Sequence, residues 1–497
     1  MTARILIGID LGTTMLKLGA YDSRTGARVA DAAERLPLQT GPDGLREQDP
    51  VAVEAALARA ASSLRRRLGG DWSRVAGVGV AAQGGSATIV DRRTGAAHTQ
   101  MQLWSDTRPL HLLPAIAARK PPGYWRRLSC MPDPGAGLAR MEWLRARHAG
   151  LLCERNMYVG AGELIYFRLT GVWRQDAGSA LQAGCYNARS HKLAPGPLQA
   201  VGVDASFVAP MRQGHEMHGL WPAGARLLQL PEGLPVAGPY MDHEAGYLSV
   251  AAASRRVLQM SLGTAWVGNF VMETGAAPDG FNLVLPSPVG AGSLVVRVMH
   301  AGTASWDWAV VTFLGEDAAP ADADAVFREC LLPPHGLTAL PWLTRPNPLV
   351  SGAYGGGGFF GASVHSTRLD LLRAMAAGMC YEMAHVFAPV VDAGLVDRVV
   401  LTGGAARGEH FRTILAGLLH PLPVFCVDDD ESPGARGVLY SLSRRAARVR
   451  THRVRALSEK RRRRLHDGYQ AYCDLCRAVP AAPLHDIPGP AKRRSNQ

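Results

Sequence analysis

Lysine is nearly missing from this sequence. Lys17, Lys120, Lys192, Lys460 and Lys492 are its five lysines among 54 basic residues, and arginine supplies the rest. With abundant alanine, this fits a bias of genome composition more than a functional demand. Cysteine is sparse and irregularly spaced, eight in all, which excludes a disulfide framework. The one close pair, Cys473 and Cys476, lacks a second such pair or two histidines to complete a zinc site, and reads as two thiols on a tail helix. No run of ~18 uncharged apolar residues exists, so no membrane span is expected. Asp10 interrupts the first apolar run, which excludes a signal peptide. Together these absences predict a cytoplasmic protein with no membrane partner.

The net charge of +12 is not a property of the whole chain. Residues Arg444 to Gln497 carry +11 of it, which leaves the rest of the 497 residues at +1. Basicity confined to a tail, with few aromatics between the charges, argues against nucleic acid as a partner. Apolar residues make up 47% and charged residues 19%, enough for a large core in two or three domains at ~150 residues each.

The chain opens with a strand over Ile5–Asp10, a Gly-Thr-Thr turn, a second strand over Met15–Asp22 and a third over Val29–Leu38. Asp49 and Pro50 supply an N-cap and a first-turn proline for a helix to about Leu68, and Val75–Ala82 reads as a buried parallel strand. A similar order recurs later. Val257–Ser261 and Ala265–Met272 flank Leu262-Gly263-Thr264, a long helix covers Thr367–Phe387, and Val396–Thr402 ends in Gly403-Gly404. Two related α/β domains, 1–246 and 247–447, followed by an Arg-rich helix and tail, 448–497, are therefore expected. A last helix is expected over Gly434–Arg445.

Two glycine patterns lack their context. Gly77, Gly79 and Ala82 have dinucleotide-fold spacing but sit inside a strand. Gly356 to Gly361 has phosphate-loop spacing without the lysine. Asp10-Leu11-Gly12-Thr13-Thr14, with Lys17 on the returning strand, is better placed. A carboxylate at a strand end suits hydrated Mg²⁺, and the turn's N–H groups and hydroxyls suit phosphate oxygens. Gly263 and Thr264 repeat that turn, and Gly403, Gly404 and Ala405 would let a base and ribose approach the backbone.

Ordered blocks then extend over most of the chain: Ile7–Thr14, Val78–Gly84, Leu103–Arg108, Leu169–Gly171, Gly238–Asp242, Ser261–Thr264, Gly358–Gly361 and Thr402–Ala405. In this order they resemble the FGGY family of carbohydrate kinases, of the sugar-kinase, heat-shock-protein and actin superfamily. The resemblance implies two ribonuclease-H-like (actin-like ATPase) domains with an interdomain active-site cleft. It also implies ATP-dependent phosphorylation of a ketose or polyol, with a pentulose-like substrate favoured. The cofactors implied are ATP and Mg²⁺; a homodimer is compatible with it. A non-catalytic nucleotide-binding module of the same superfamily is the alternative.

By the same resemblance, Asp242 matches the general base, and Asp10 matches the residue that organises Mg²⁺ through water. Gly12, Thr13 and Thr14 match the first phosphate loop, beside which Lys17 would neutralise phosphate charge; Gly263 and Thr264 match the second, and Gly403, Gly404 and Ala405 the adenosine loop. Gln83, Gly84, Trp104, Asp106 and Arg108 match substrate positions, and His243, next to Asp242, either bonds a sugar hydroxyl or orients that carboxylate. The chain departs from the family at Gly85, at Arg407 and Gly408 of the adenosine loop, and at Arg436, a large cation on a helix that normally packs closely.

Overall fold

The computed structural model describes residues 4–148, 150–263, 265–273, 282–299, 302–343, 356–428 and 432–478. By internal contacts the chain forms two compact units. One comprises Met1–Val257, Asn269–Arg297 and Asp428–Arg450; the other comprises Leu258–Gly268, Val298–Val427 and Thr451–Gln497.

The first unit is built on strands β1 (Ile5–Leu11), β2 (Met15–Asp22) and β3 (Arg28–Arg35). They pair antiparallel in sequence order, because the Gly12–Thr14 and Asp22–Gly26 turns are too short for a crossover. Helix α1 (Pro50–Leu68) starts where expected, with the Asp49 carboxylate accepting from the Val51 N–H. It returns the chain to β4 (Val75–Ala82), which lies parallel to β1. Much farther along come helix α2 (Ala177–Gln182), strand β5 (Pro235–Met241) and helix α3 (Asp242–Ala251). β5 pairs parallel with β4, giving the order β5-β4-β1-β2-β3 within a six-stranded sheet.

Alternation sorts the two faces of this sheet. Ile7, Ile9, Val78 and Val80 join Val53, Leu57 and Leu64 of α1 in one buried cluster. Gly8 and Gly79 point the other way, where no side chain would fit. A Cβ on Gly8 would lie 1.6 Å from the Ala435 carbonyl oxygen, and one on Gly79 2.5 Å from that of Val438.

The second unit contains β6 (Val257–Leu262), α4 (Thr303–Leu314), α5 (Arg368–Asp392), β7 (Arg398–Thr402) and β8 (Val424–Val427). In its sheet β7 lies between β6 and β8 and runs parallel to β8. Helix α5 begins with a capping box in which Thr367 and Asp370 exchange hydrogen bonds. Among the described residues, it is the one helix long and apolar enough to cross a membrane, and 78% of its apolar stretch is buried in protein.

Residues 428–450 belong to the first unit. The helix expected over Gly434–Arg445 is broken there into α6 (Pro433–Gly437), a run of turns, and a single helical turn at Arg444–Ala447. Backbone bonds tighten from a long Val438 N–H to Gly434 contact (3.5 Å) to three-residue spacing at Leu439 and Tyr440, and Ser443 caps a new start. Close approach explains the break: Gly434 and Gly437 press α6 onto β1 and α3, and a Cβ on Gly437 would lie 1.7 Å from the Ala245 carbonyl oxygen.

Arg436, out of place by family pattern, is completely buried. Its guanidinium donates to the carbonyls of Gly26 (2.8 Å) and Ala446 (3.0 Å) and lies 4.3 Å from the Tyr21 ring centre. It thus ties the β2–β3 turn to the returning segment. Arg436→Met is expected to lower stability by about 3 kcal/mol, because each buried carbonyl left without a donor costs ~1–3 kcal/mol. Urea unfolding measures this; an unchanged midpoint would discount the clamp.

Strand β9 (Thr451–Arg453) and helix α7 (Glu459–Ala478) follow in the second unit. Leu465, Tyr472 and Cys476 form the buried side of α7, and both tail cysteines are free thiols on it, as expected.

Candidate active site

Three adjacent parallel strands of the first unit end together. Leu11 of β1 and Met241 of β5 are both in register with Ala82 of β4. The residues at this edge, where ligands of open α/β sheets collect, are Asp10, Gln83 and Asp242. The outer two strands are about 10 Å apart, at two inter-strand spacings. This placement comes from the fold, since the three residues are far apart in the sequence.

Asp10 pairs across the hairpin with Lys17, whose side chain is exposed. Burial pushes the Asp10 carboxyl up to about 6, the charge of Asp242 pushes the same way, and Lys17 opposes both. In the turn, Gly12 N–H is occupied by the Met15 carbonyl (3.0 Å), and the Thr14 carbonyl accepts from Leu36 N–H (2.8 Å). The N–H groups of Thr13 and Thr14 have no partner among the described residues, which leaves them available to an anion.

The Thr13 side chain is oriented differently from the expectation. Its hydroxyl donates to Gln83 Oε1 (2.8 Å) and accepts from the Trp104 indole N–H (3.1 Å). Gln48, buried beneath, donates to the Thr13 carbonyl (2.8 Å) and accepts from the Gln83 amide (3.3 Å). The expected phosphate turn and the expected substrate loop are therefore one hydrogen-bonded body. Trp104 keeps 45% of its surface exposed, as a ring available to cover a carbon chain would.

Asp106 and Arg108, expected at the substrate, face each other. Asp106 is fully buried, and its oxygens accept from Arg46 N–H (3.1 Å) and from the Arg108 backbone and guanidinium. Arg108 also bonds Glu47. Their part is to fold the loop that presents Trp104, and Arg140, 1% exposed, finishes it by donating to the Leu103 and Trp104 carbonyls. Gln48 and Arg140 carry no local motif; only the folded chain brings them here.

Asp242 opens α3, and its carboxylate accepts the His243 N–H at 2.9 Å. His243 sits beside it, half-buried. The Gly84–Gly85 turn is close to Met241 and Gln182: a Cβ on Gly84 would meet Met241 Sδ at 2.8 Å, and one on Gly85 would meet Gln182 Oε1 at 3.2 Å.

In the second unit, Gly263 follows β6, and its carbonyl accepts from the Thr303 hydroxyl at the start of α4. Gly403 ends β7 at a φ of +92°, a conformation suited to glycine. A Cβ there would lie 2.6 Å from the Leu262 carbonyl carbon, so these two loops of the unit touch. Gly404 and Ala405 follow in a short turn of helix, with open space where a Gly404 side chain would be. Thr264 lies outside the described residues. Among the described residues, no three His, Cys, Asp or Glu side chains converge on a metal position. A lone Asp10 carboxylate fits Mg²⁺ held mainly by water and phosphate oxygens.

Residues 5–249 match the N-terminal domain of the FGGY family of carbohydrate kinases. The chain is 25% identical over 420 residues to a xylulose kinase of Escherichia coli, spanning 83% of this chain and 84% of that protein. It is 25% identical over 458 residues to a glycerol kinase of Alkalilimnicola ehrlichii, spanning 86% and 88%. The crystal structure of xylulose kinase from Rhodospirillum rubrum shares the fold, with a TM-score of 0.83, 23% identity, and coverage of 95% of this chain and 98% of that one.

Proposed function

Because this chain belongs to the FGGY family of carbohydrate kinases, we propose that it transfers the γ-phosphoryl group of ATP to a hydroxyl of a ketose or polyol, with a pentulose-like acceptor favoured. The meeting of Asp10, Gln83 and Asp242 at one sheet edge carries this reading. Similarity to proteins named xylulose kinase supports the pentulose.

Asp242 is the general base. A sugar hydroxyl is a weak nucleophile until its proton has somewhere to go, and the Asp242 carboxylate accepts it as the new P–O bond forms. The bond from the γ-phosphorus to the bridging oxygen breaks in line, and ADP leaves with the electron pair. Gly12–Thr14 and Lys17 hold phosphate charge in the first unit. Gly263 and Thr264 do so in the second, and Gly403–Ala405 receive adenosine. Mg²⁺ bound near Asp10 supplies charge neutralisation of the phosphates. Gln83, Gly84, Trp104 and His243 line the acceptor position.

A non-catalytic nucleotide-binding role is not favoured, since a carboxylate at Asp242 together with Gln83 and Trp104 has no purpose in it. A coupled ADP-release assay over xylulose, ribulose, glycerol, erythritol and gluconate tests the reading. Stimulation by a ketopentose is expected, and ADP release indifferent to every acceptor would overturn it.

Thr13→Val removes the hydroxyl that joins Gln83 to Trp104. A rise in acceptor KM of about tenfold is expected, equivalent to one lost hydrogen bond, with a smaller change in the KM for ATP. Equal changes in both would mean that the hydroxyl serves phosphate instead.

A further inference from the structure

We propose that Asp176 is a positioning residue for the base: it fixes the strand end that carries Asp242 and ties it to the acceptor loop. The base's role rests on the phosphotransfer reading above; the clamp itself rests on geometry alone. Asp176 lies 66 residues upstream of Asp242, and no contact between it and a substrate is required.

Asp176 is 3% exposed. One oxygen accepts the Ser179 N–H at 2.7 Å and so caps α2; the other accepts the N–H of Met241, the residue immediately before the base. Burial pushes its carboxyl above the usual range, and these two N–H donors oppose that. A buried carboxylate is costly unless its lone pairs are occupied; here the occupants are the first turn of one helix, through the Ser179 N–H and hydroxyl, the last residue of one strand, through the Met241 N–H, and the buried Glu244 carboxyl beside them. The Asp242 Cα follows that of Met241 by ~3.8 Å, so a fixed Met241 amide leaves the base little freedom.

The other end of α2 adds the second link. Gln182, its last residue, lies against the Gly84–Gly85 turn, and Gly178 packs so tightly on Met241 that a Cβ there would lie 2.9 Å from the methionine Cβ. One helix of six residues therefore touches both the strand bearing the base and the loop that lines the acceptor. The distance between base and acceptor hydroxyl is set through Asp176. Misplacement by ~1 Å costs about 100-fold in rate.

Two variants separate this role from simple helix capping. Asp176→Asn and Asp176→Ser both retain a good N-cap for α2. Asn presents an NH₂ to the Met241 N–H, and Ser is too short to reach both donors. With the best acceptor from the panel, kcat is expected to fall about 10–100-fold. The KM for ATP should stay within about threefold, and melting should stay close to wild type. Rescue of kcat is expected only from residues with two acceptor oxygens. Wild-type kcat in a folded variant overturns the proposal. So does a loss shared equally by the KM of both substrates, or failure of both variants to fold, since Asp176 is then a structural staple.

Hydrogen exchange in the peptide covering 235–251 reads the clamp without turnover. Faster exchange there is expected in both variants, and unchanged exchange overturns the clamp even if the protein phosphorylates no acceptor in the panel. Absence of wild-type acceptor-dependent ADP release, with faster exchange in the variants, would instead sink the phosphotransfer reading and leave the clamp standing.

Discussion

Asp242→Asn is expected to lower acceptor-dependent ADP release by about 10²–10⁴-fold, the usual worth of a positioned general base, the role proposed for Asp242. Asparagine retains an oxygen for the His243 N–H, so α3 starts as before and the protein stays folded. It cannot take the proton of the attacking hydroxyl. ATP binding, measured by calorimetry, is expected to persist, because no residue of either phosphate turn is altered. The charge of Asp242 helps to push up the Asp10 carboxyl, so its removal does not weaken a cation's hold on ATP through that route. A variant with full acceptor-dependent turnover would place the base elsewhere.

Gly434→Ala is expected to affect activity more than stability. Its Cβ would lie 2.3 Å from one Asp10 carboxylate oxygen and 2.6 Å from the carboxyl carbon. Backbone cannot yield on the α6 side, so the Asp10 side chain must rotate away. That displacement is worth about 100-fold in kcat if Asp10 organises the phosphates. The stability cost is smaller: crowding of ~1–3 kcal/mol, offset by about 1 kcal/mol of better helix propensity. Gly8→Ala is the contrasting control. Its Cβ would lie 1.6 Å from a main-chain oxygen, no side chain can move aside, and loss of fold is expected. If both variants lost activity only in proportion to unfolding, the contact between Gly434 and Asp10 would have no catalytic meaning.

Local chemistry made much of this legible. Asp10, the Gly12–Thr14 turn and Gly403 follow from strand ends and glycines visible in short windows, and the helix start at Pro50 follows from its Asp49 cap. Side-chain direction was not visible in this way. The Thr13 hydroxyl looked suited to phosphate, yet it is held by Gln83 and Trp104, from elements 70 and 91 residues away. Asp106 matches a substrate position by pattern, and its carboxylate is buried against Arg46 and Arg108, which no short window shows. Gln48, Arg140 and Asp176 lack motifs because their partners are created by the fold. Arg436 stood out as a departure from the family's pattern; its acceptors, 410 and 10 residues away, give the reason.

The segment 428–450 also sets a timetable. Until it arrives, the glycine-lined face of β1 and β4 has nothing to cover it, and the carbonyls of the β2–β3 turn lack their arginine. A growing chain leaving the ribosome can thus assemble most of the first unit's strands long before it can close the unit. Closure waits for Arg450, 193 residues after Val257. Fragments ending near Val257 should therefore remain open and chaperone-dependent, although they contain every strand of the β5-β4-β1-β2-β3 sheet.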